Sequence, residues 1–294
     1  MTDLAAHPQF ETTYFDLPEA QLHAVVAGAA GAPLVVLLHG FPEFWYEWRN
    51  QIGPLVAAGF RVITPDQRGY NLSSKTGPYD LQTVGNDVAH LIGAAGYDSA
   101  HVVGHDWGGA AAWAVAAWHP ELVSRLVVIN LPNPLAMSDS LARLNIRQYL
   151  RSTYAAFFQI RRLPEWMLGR NNFSLLQRVL SATALPGTYT AEDLARHVDA
   201  WSQPGALTAM LGWYRAAGVS RRQLLASRAQ FSRIAAPTVM LWGERDAALG
   251  IELAEASVPL LADGRLIRYP NHTHWLPAEA PAEVTKQLLA HLAQ

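Results

Sequence analysis

The sequence predicts an α/β protein: a mostly parallel sheet with helices on both faces, interrupted once by a helical insertion. Three observations carry this. Short apolar runs alternate with stretches of helical spacing up to residue 129. Residues 33–39 (Pro-Leu-Val-Val-Leu-Leu-His) are apolar almost throughout, as a strand covered on both faces must be. Residues 135–228 then show no strand pattern, and strand-like sequence resumes at 237–242.

The elements follow in order. Residues 22–27 and 33–39 read as strands, and the second ends in the breaker cluster Gly40-Phe41-Pro42. Residues 45–58 suit a helix, and 61–64 form a short strand ending at Pro65-Asp66. Residues 81–95 have helical spacing, with Leu81, Val84, Val88, Leu91 and Ile92 on one side. Residues 100–103 and 126–129 are further buried strands, with a helix after Trp107 between them. This alternation argues for a parallel sheet. After Leu131-Pro132-Asn133-Pro134 the chain turns helical and rich in Arg, Leu, Trp and Tyr, with breaks expected at Pro164, Pro186-Gly187 and Pro204-Gly205. Strands at 237–242 and 265–269 and an amphipathic helix at 279–292 close the chain. The division expected is a core from 1–134 and 229–294, with a helical cap from 135–228.

At 294 residues the chain has room for one large domain carrying an insertion. A net charge of −2 gives no electrostatic case for nucleic acid or an acidic membrane surface. The absence of cysteine excludes disulfides, thiolate nucleophiles and zinc–sulfur sites, and fits a cytoplasmic location. Met1-Thr2-Asp3-Leu4 lacks the basic start and apolar core of a signal peptide. The longest apolar stretches, 33–38 and 108–118, are too short to span a bilayer.

The chemistry centres on Gly104-His105-Asp106-Trp107-Gly108-Gly109, a glycine-rich turn between a buried strand and a helix. Asp106 reads either as an ordinary helix N-cap or as a nucleophile held at a helix N-terminus. A carboxylate is poorly matched to stable acyl groups, but it displaces leaving groups from saturated carbon and forms an alkyl ester. That points to epoxides or alkyl halides. The ester must then be hydrolysed, which needs a base suited to neutral pH. Among 11 histidines, His274 lies in a loop after a late strand and before the last helix, beside Trp275. His272 is its competitor, and His-Thr-His spacing could suggest a metal, although no third ligand is evident. Asp246, following strand 237–242, is the candidate for orienting the base, with Glu244 as competitor. The backbone N–H groups of Trp107 and Phe41 are the candidate oxyanion donors. His39 reads as a structural histidine bonding its own loop.

His39-Gly40-Phe41-Pro42, Asp66-Gln67-Arg68-Gly69-Tyr70, the Asp106 turn and His274-Trp275 together resemble the epoxide hydrolases of the α/β-hydrolase fold. The resemblance covers nearly the whole chain and implies an eight-stranded sheet with an inserted cap. The order Asp106, Asp246, His274 matches nucleophile, acid and base in that fold. The first and third motifs are shared with haloalkane and haloacetate dehalogenases. The family places two cap tyrosines over the nucleophile, and the matching contexts here are Tyr154-Ala155-Ala156-Phe157-Phe158-Gln159 and Trp213-Tyr214-Arg215. Tyr154 and Tyr214 are thus implied to bind and protonate the epoxide oxygen. Haloacetate dehalogenases carry an arginine after the nucleophile, where this chain has Trp107. Asn130 removes the alternative acid position that some dehalogenases use. The resemblance implies a pocket with Phe41, Pro42, Trp107, Phe158 and Trp213, a small apolar epoxide and water as partners, and no metal or organic cofactor. The chain is expected as monomer or homodimer. Two other readings stand beside it: a haloalkane dehalogenase, and a non-catalytic binder of small apolar molecules.

Overall fold

A computed structural model describes residues 10–143 and 146–294, so Met1–Leu4 lies outside the described residues. Eight strands form one sheet: β1 (Phe10–Asp16), β2 (Gln21–Ala27), β3 (Leu34–Leu38), β4 (Arg61–Pro65), β5 (Ala100–His105), β6 (Val123–Ile129), β7 (Thr238–Gly243) and β8 (Gly264–Tyr269). Their order is β1-β2-β4-β3-β5-β6-β7-β8. β2 runs antiparallel to both β1 and β4, and every other pair is parallel. The α/β fold expected is therefore present.

The central strand shows why. All five residues of β3 are buried. Val36 and Leu38 face one apolar core, Val35 and Leu37 the other. Successive side chains alternate faces, so a strand that is apolar on both must lie between two helical layers. Each such side chain contributes about 1.5–3 kcal/mol relative to an exposed one.

Three helices belong to the first half: α1 (Arg49–Ala57), α2 (Leu81–Ala94) and α3 (Trp107–Trp118). Asp80 caps α2 by accepting from the Thr83 N–H at 3.2 Å. α3 is mostly alanine and glycine, and residues 108–117 are buried. Small side chains let it lie close against the sheet.

Between β6 and β7 the described residues are helical throughout their regular elements: α4 (Pro134–Ala142), α5 (Ile146–Arg151), α6 (Thr153–Phe157), α7 (Leu163–Thr183), α8 (Ala191–Trp201), α9 (Ala206–Arg215), α10 (Ala217–Ala226) and α11 (Arg228–Phe231). Pro186-Gly187 and Pro204-Gly205 fall between helices, as the sequence predicts. Pro164 does not: it sits in the first turn of α7, where its missing N–H costs no hydrogen bond. The interruption comes later, at Asn171, Asn172 and Phe173, all with left-handed backbone. α12 (Ile251–Ser257), α13 (Leu276–Glu279) and α14 (Pro281–Leu292) complete the chain. The closing helix expected at 279–292 is α14, which starts at Pro281 because Ala280 precedes a proline and leaves the helical region (φ −130°, ψ 54°); the short α13 before it was not expected. Among the described residues, no helix is long and apolar enough to cross a membrane.

The parallel strands all end at one edge of the sheet. The loops after β3, β5, β6, β7 and β8 meet there, the usual location of sites in open α/β sheets.

Candidate active site

Asp106 follows β5 directly and precedes α3, with φ 48° and ψ −124°. A non-glycine residue in that region costs on the order of 1–3 kcal/mol and persists only where its surroundings fix it. Two glycines make the turn fit. A Cβ on Gly108 would overlap the Leu38 and His39 carbonyls, and one on Gly40 would overlap the Asp106 side chain. Asp106 stands at an N-cap position, yet its carboxylate makes no cap hydrogen bond. Its Oδ1 accepts from the Phe41 N–H at 2.8 Å instead, and Oδ2 lies 3.5 Å from His274 Nε2. The Phe41–Pro42 bond is cis.

His274 reaches this point from the loop after β8, and Asp246 from the loop after β7. His274 Nδ1 donates to Asp246 Oδ2 at 2.6 Å. Asp246 is fully committed: Oδ2 also accepts from Asn130 Nδ2 at 2.8 Å, and Oδ1 from the N–H groups of Ala248 (2.7 Å) and Leu249 (2.9 Å). Burial alone would raise the pKa of Asp246, but His274 and these donors outweigh it and hold the carboxyl below its ordinary value. Asp106 is likewise lowered, with burial overcome by His274 and then by the Phe41 N–H. Burial opposes a charge on His274, yet Asp246 and Asp106 together hold its pKa well above the usual histidine range.

The competitors lie elsewhere. Glu244 pairs with Arg268 at 2.7 Å on the surface. His272 packs edge-on against Tyr269, away from Asp106. His39 bonds its own loop, with Nδ1 3.0 Å from the Gly40 oxygen and Nε2 accepting from the Gln67 N–H at 3.0 Å.

The insertion supplies the opposite wall. Tyr154 on α6 and Tyr214 on α9 have ring centroids 5.9 Å apart. Tyr214 also packs edge-on against Trp107 (5.0 Å) and Phe41 (5.2 Å). The residues flanking each tyrosine explain why the two helices stay in register. Gln159 Nε2 donates to the Tyr214 carbonyl at 2.8 Å. Arg215 donates to the Phe158 and Ile160 carbonyls at 3.0 and 2.8 Å and pairs with Glu165 at 2.7 Å. Trp213 Nε1 donates to the Arg68 carbonyl at 2.9 Å, which ties α9 down to the sheet. Burial, then neighbouring charge including that of Asp106, pushes both phenols up, so both stay neutral.

A largely apolar cavity of about 430 Å³ opens between the two walls. Asp106, Trp107, Tyr154, Trp213 and Tyr214 line it. Phe41, Pro42 and Phe158, expected along the pocket, are not among its lining residues. The Phe41 and Phe158 rings pack against Tyr214, and the Pro42 carbonyl accepts from Trp201 Nε1 at 2.5 Å. Their contribution is to back the wall.

The model of the α/β hydrolase fold family matches residues 33–281. The chain belongs to that family and, within it, to the epoxide hydrolase branch. It is 43% identical over 274 residues to the AB hydrolase superfamily protein YfhM of Bacillus subtilis (strain 168), covering 92% of this chain and 94% of that protein. It is 34% identical over 283 residues to epoxide hydrolase 4 of Mus musculus, covering 93% and 77%. Among solved structures, an epoxide hydrolase of Bacillus megaterium in complex with an inhibitor matches with a TM-score of 0.84 at 27% identity, covering 96% of this chain and all (100%) of that one.

Two features of this hydrolase's site escape sequence reasoning. Asn130 is noted in the sequence only for not being acidic, but it binds Asp246 and also accepts from the Gly243 N–H at 2.9 Å. The cavity also draws Met137 and Leu141 from α4 and Leu224 from α10. Apolar residues on helices carry no local mark that separates a pocket from a core.

Proposed function

We propose that this hydrolase opens epoxides to vicinal diols through a covalent ester on Asp106. The observation that carries the reading is that Tyr154 and Tyr214 line the same apolar cavity as Asp106. An epoxide carbon lying over the carboxylate would have its ring oxygen turned towards the two phenols.

In the first step Asp106 Oδ2 attacks a ring carbon and the carbon–oxygen bond breaks. The electron pair goes to the ring oxygen, which takes a proton from the tyrosine pair. Oδ1, held by the Phe41 N–H, becomes the ester carbonyl oxygen. Esterification removes one of the two negative charges that keep His274 protonated. Its pKa falls, its proton returns to the phenolate, and the free imidazole becomes a base. His274 then takes a proton from water, and the hydroxide adds to the ester carbonyl carbon. The Phe41 and Trp107 N–H groups stabilise the resulting oxyanion. Collapse releases the diol, whose alkoxide takes the proton back from His274, and leaves Asp106 as the carboxylic acid, which then gives its proton to His274 and restores the starting ion pair. No step calls for a metal or organic cofactor. Residues 1–134 and 229–294 serve in this account as the catalytic core, 135–228 as the cap, and the absence of cysteine fits action in the cytoplasm.

Trp107 bears on the haloalkane alternative, since an indole N–H can hold a halide. Here its ring packs edge-on against Tyr214, with centroids 5.0 Å apart, so the indole lies beside a phenol that can take the epoxide oxygen. The test is a panel of aryl and alkyl epoxides beside 1-bromoalkanes. Diol formation is expected, lost with Tyr154→Phe plus Tyr214→Phe. Halide release without diol would establish the dehalogenase. Binding without turnover of either class would establish a ligand-binding protein.

A further inference from the structure

Beneath the Asp106 turn lies a group of buried side chains that this chemistry does not use. Glu47, in the 3-10 turn Trp45–Trp48, is fully buried. Its Oε2 accepts from the Gly40 N–H at 3.1 Å. Its Oε1 lies 2.5 Å from Nδ1 of His105, the residue before Asp106. Nε2 of His105 is 2.9 Å from the His274 carbonyl oxygen. Glu43 stands alongside, accepting from the Tyr189 hydroxyl at 3.0 Å, with His197 Nε2 at 3.6 Å.

The protons in this group can be assigned from bonding rules. A carbonyl oxygen only accepts, so His105 Nε2 carries a hydrogen. Burial, and then His274, pushes the pKa of His105 down to about 4, so the ring is neutral and Nδ1 is bare. Two acceptors do not face each other at 2.5 Å, so the shared proton sits on Glu47. Burial, and then Glu43, hold the Glu47 carboxyl well above its ordinary value. For Glu43 burial acts the same way, but His197 outweighs it and the carboxyl is lowered. Two carboxyls four residues apart are thereby kept in opposite charge states. Glu43, Glu47 and His105 are also close enough to suggest a metal, with ligand atoms within 4.8 Å of one another. A metal, however, needs about 2.0–2.2 Å to each ligand, and atoms 2.5 Å apart would meet it at a far more acute angle than metal geometry takes.

We propose that Glu47 is a positioning residue held as the neutral acid, donating its O–H to His105 Nδ1 and accepting from the Gly40 N–H. One side chain then ties the loop bearing the Phe41 N–H to the turn bearing Asp106, and through His105 to the backbone of His274. Glu47 touches neither substrate nor reacting atoms. Its neutrality matters, because an ionised carboxylate there would oppose the oxyanion formed above it. The kinetic part of this inference rests on the roles proposed for Asp106 and His274; the proton assignment does not.

Two readouts test it. Nitrogen-15 NMR of histidine-labelled enzyme should show His105 neutral at pH 7, with a proton on Nε2 and a hydrogen-bonded, unprotonated Nδ1. A doubly protonated His105, or a stoichiometric metal by elemental analysis, would overturn the proposal. In rapid kinetics with styrene oxide, Glu47→Leu should slow hydrolysis of the alkyl-enzyme by about tenfold, the scale of one buried hydrogen bond, with substrate affinity unchanged. Glu47→Gln offers the same donor and acceptor and should recover most of that loss. A Glu47→Gln as slow as Glu47→Leu, or a Glu47→Leu as fast as wild type, would contradict it. Should Glu47→Leu not fold, the NMR result and Glu47→Gln decide. A wild-type enzyme inert to epoxides but carrying the neutral His105 tautomer would refute the epoxide reading alone.

Discussion

The sheet and the insertion meet at one cavity, and they hold their functional groups by different means. On the sheet side, Asp106, Asp246 and His274 sit on loops at strand ends, and hydrogen bonds of 2.6–2.9 Å fix their carboxylates and ring. On the insertion side, Tyr154 and Tyr214 are placed by ring edges and by the Gln159 and Arg215 bridges between helices. Tyr214 is 6% exposed and Tyr154, which also lines the cavity, 39%. The contrast separates two jobs. In the mechanism we propose, ester formation and hydrolysis belong to the sheet edge, which demands close geometry. In the same proposal the choice of what is opened belongs to the insertion, whose aromatic contacts can change without disturbing the strands.

If that separation is right, sheet-side changes should block ester hydrolysis and cap-side changes should block epoxide opening. The largest effect is expected from Asp246→Asn, which leaves His274 in the wrong tautomer: hydrolysis should fall about 10³–10⁴-fold, with alkylation slowed far less. Rapid-quench measurement of both steps checks this, and equal losses in both would erase the distinction. A smaller effect is expected from Arg215→Ala, which unties α9 from the end of α6. Epoxide opening should drop about tenfold while hydrolysis of a preformed ester stays near wild type. The smallest concerns stability. Burial, then Arg125 and His291, lower the pKa of His101 on β5 to about 4 from 6.5. Between those values the unfolded chain binds more protons than the folded one, so stability falls as pH drops through that window. His101→Gln should flatten part of this acid-side fall in thermal melts, with no change in activity.

How much was legible follows from how local each signal is. Asp106 and its glycines are a backbone requirement written in six consecutive residues. The two tyrosines were picked out only through the family resemblance, whose short contexts around them include Gln159 and Arg215, the residues that bridge their helices. β1 left no such mark: it is an edge strand with residues 11–14 all exposed, so no buried alternation betrays it. Asn130 and Asp246 are separated by 116 positions, and nothing near either one announces the other. Glu47 was hidden for the same reason, since its partners lie on a different loop and a different strand.

The central claim is that oxygen reaches the diol from Asp106 and not directly from water. With enzyme in excess over styrene oxide in ¹⁸O-water, a single turnover should yield diol without label, its new oxygen drawn from the Asp106 carboxylate, and label should enter only on later turnovers. Full labelling of the diol in the first turnover would mean that water attacks the epoxide itself, and the covalent account would fail.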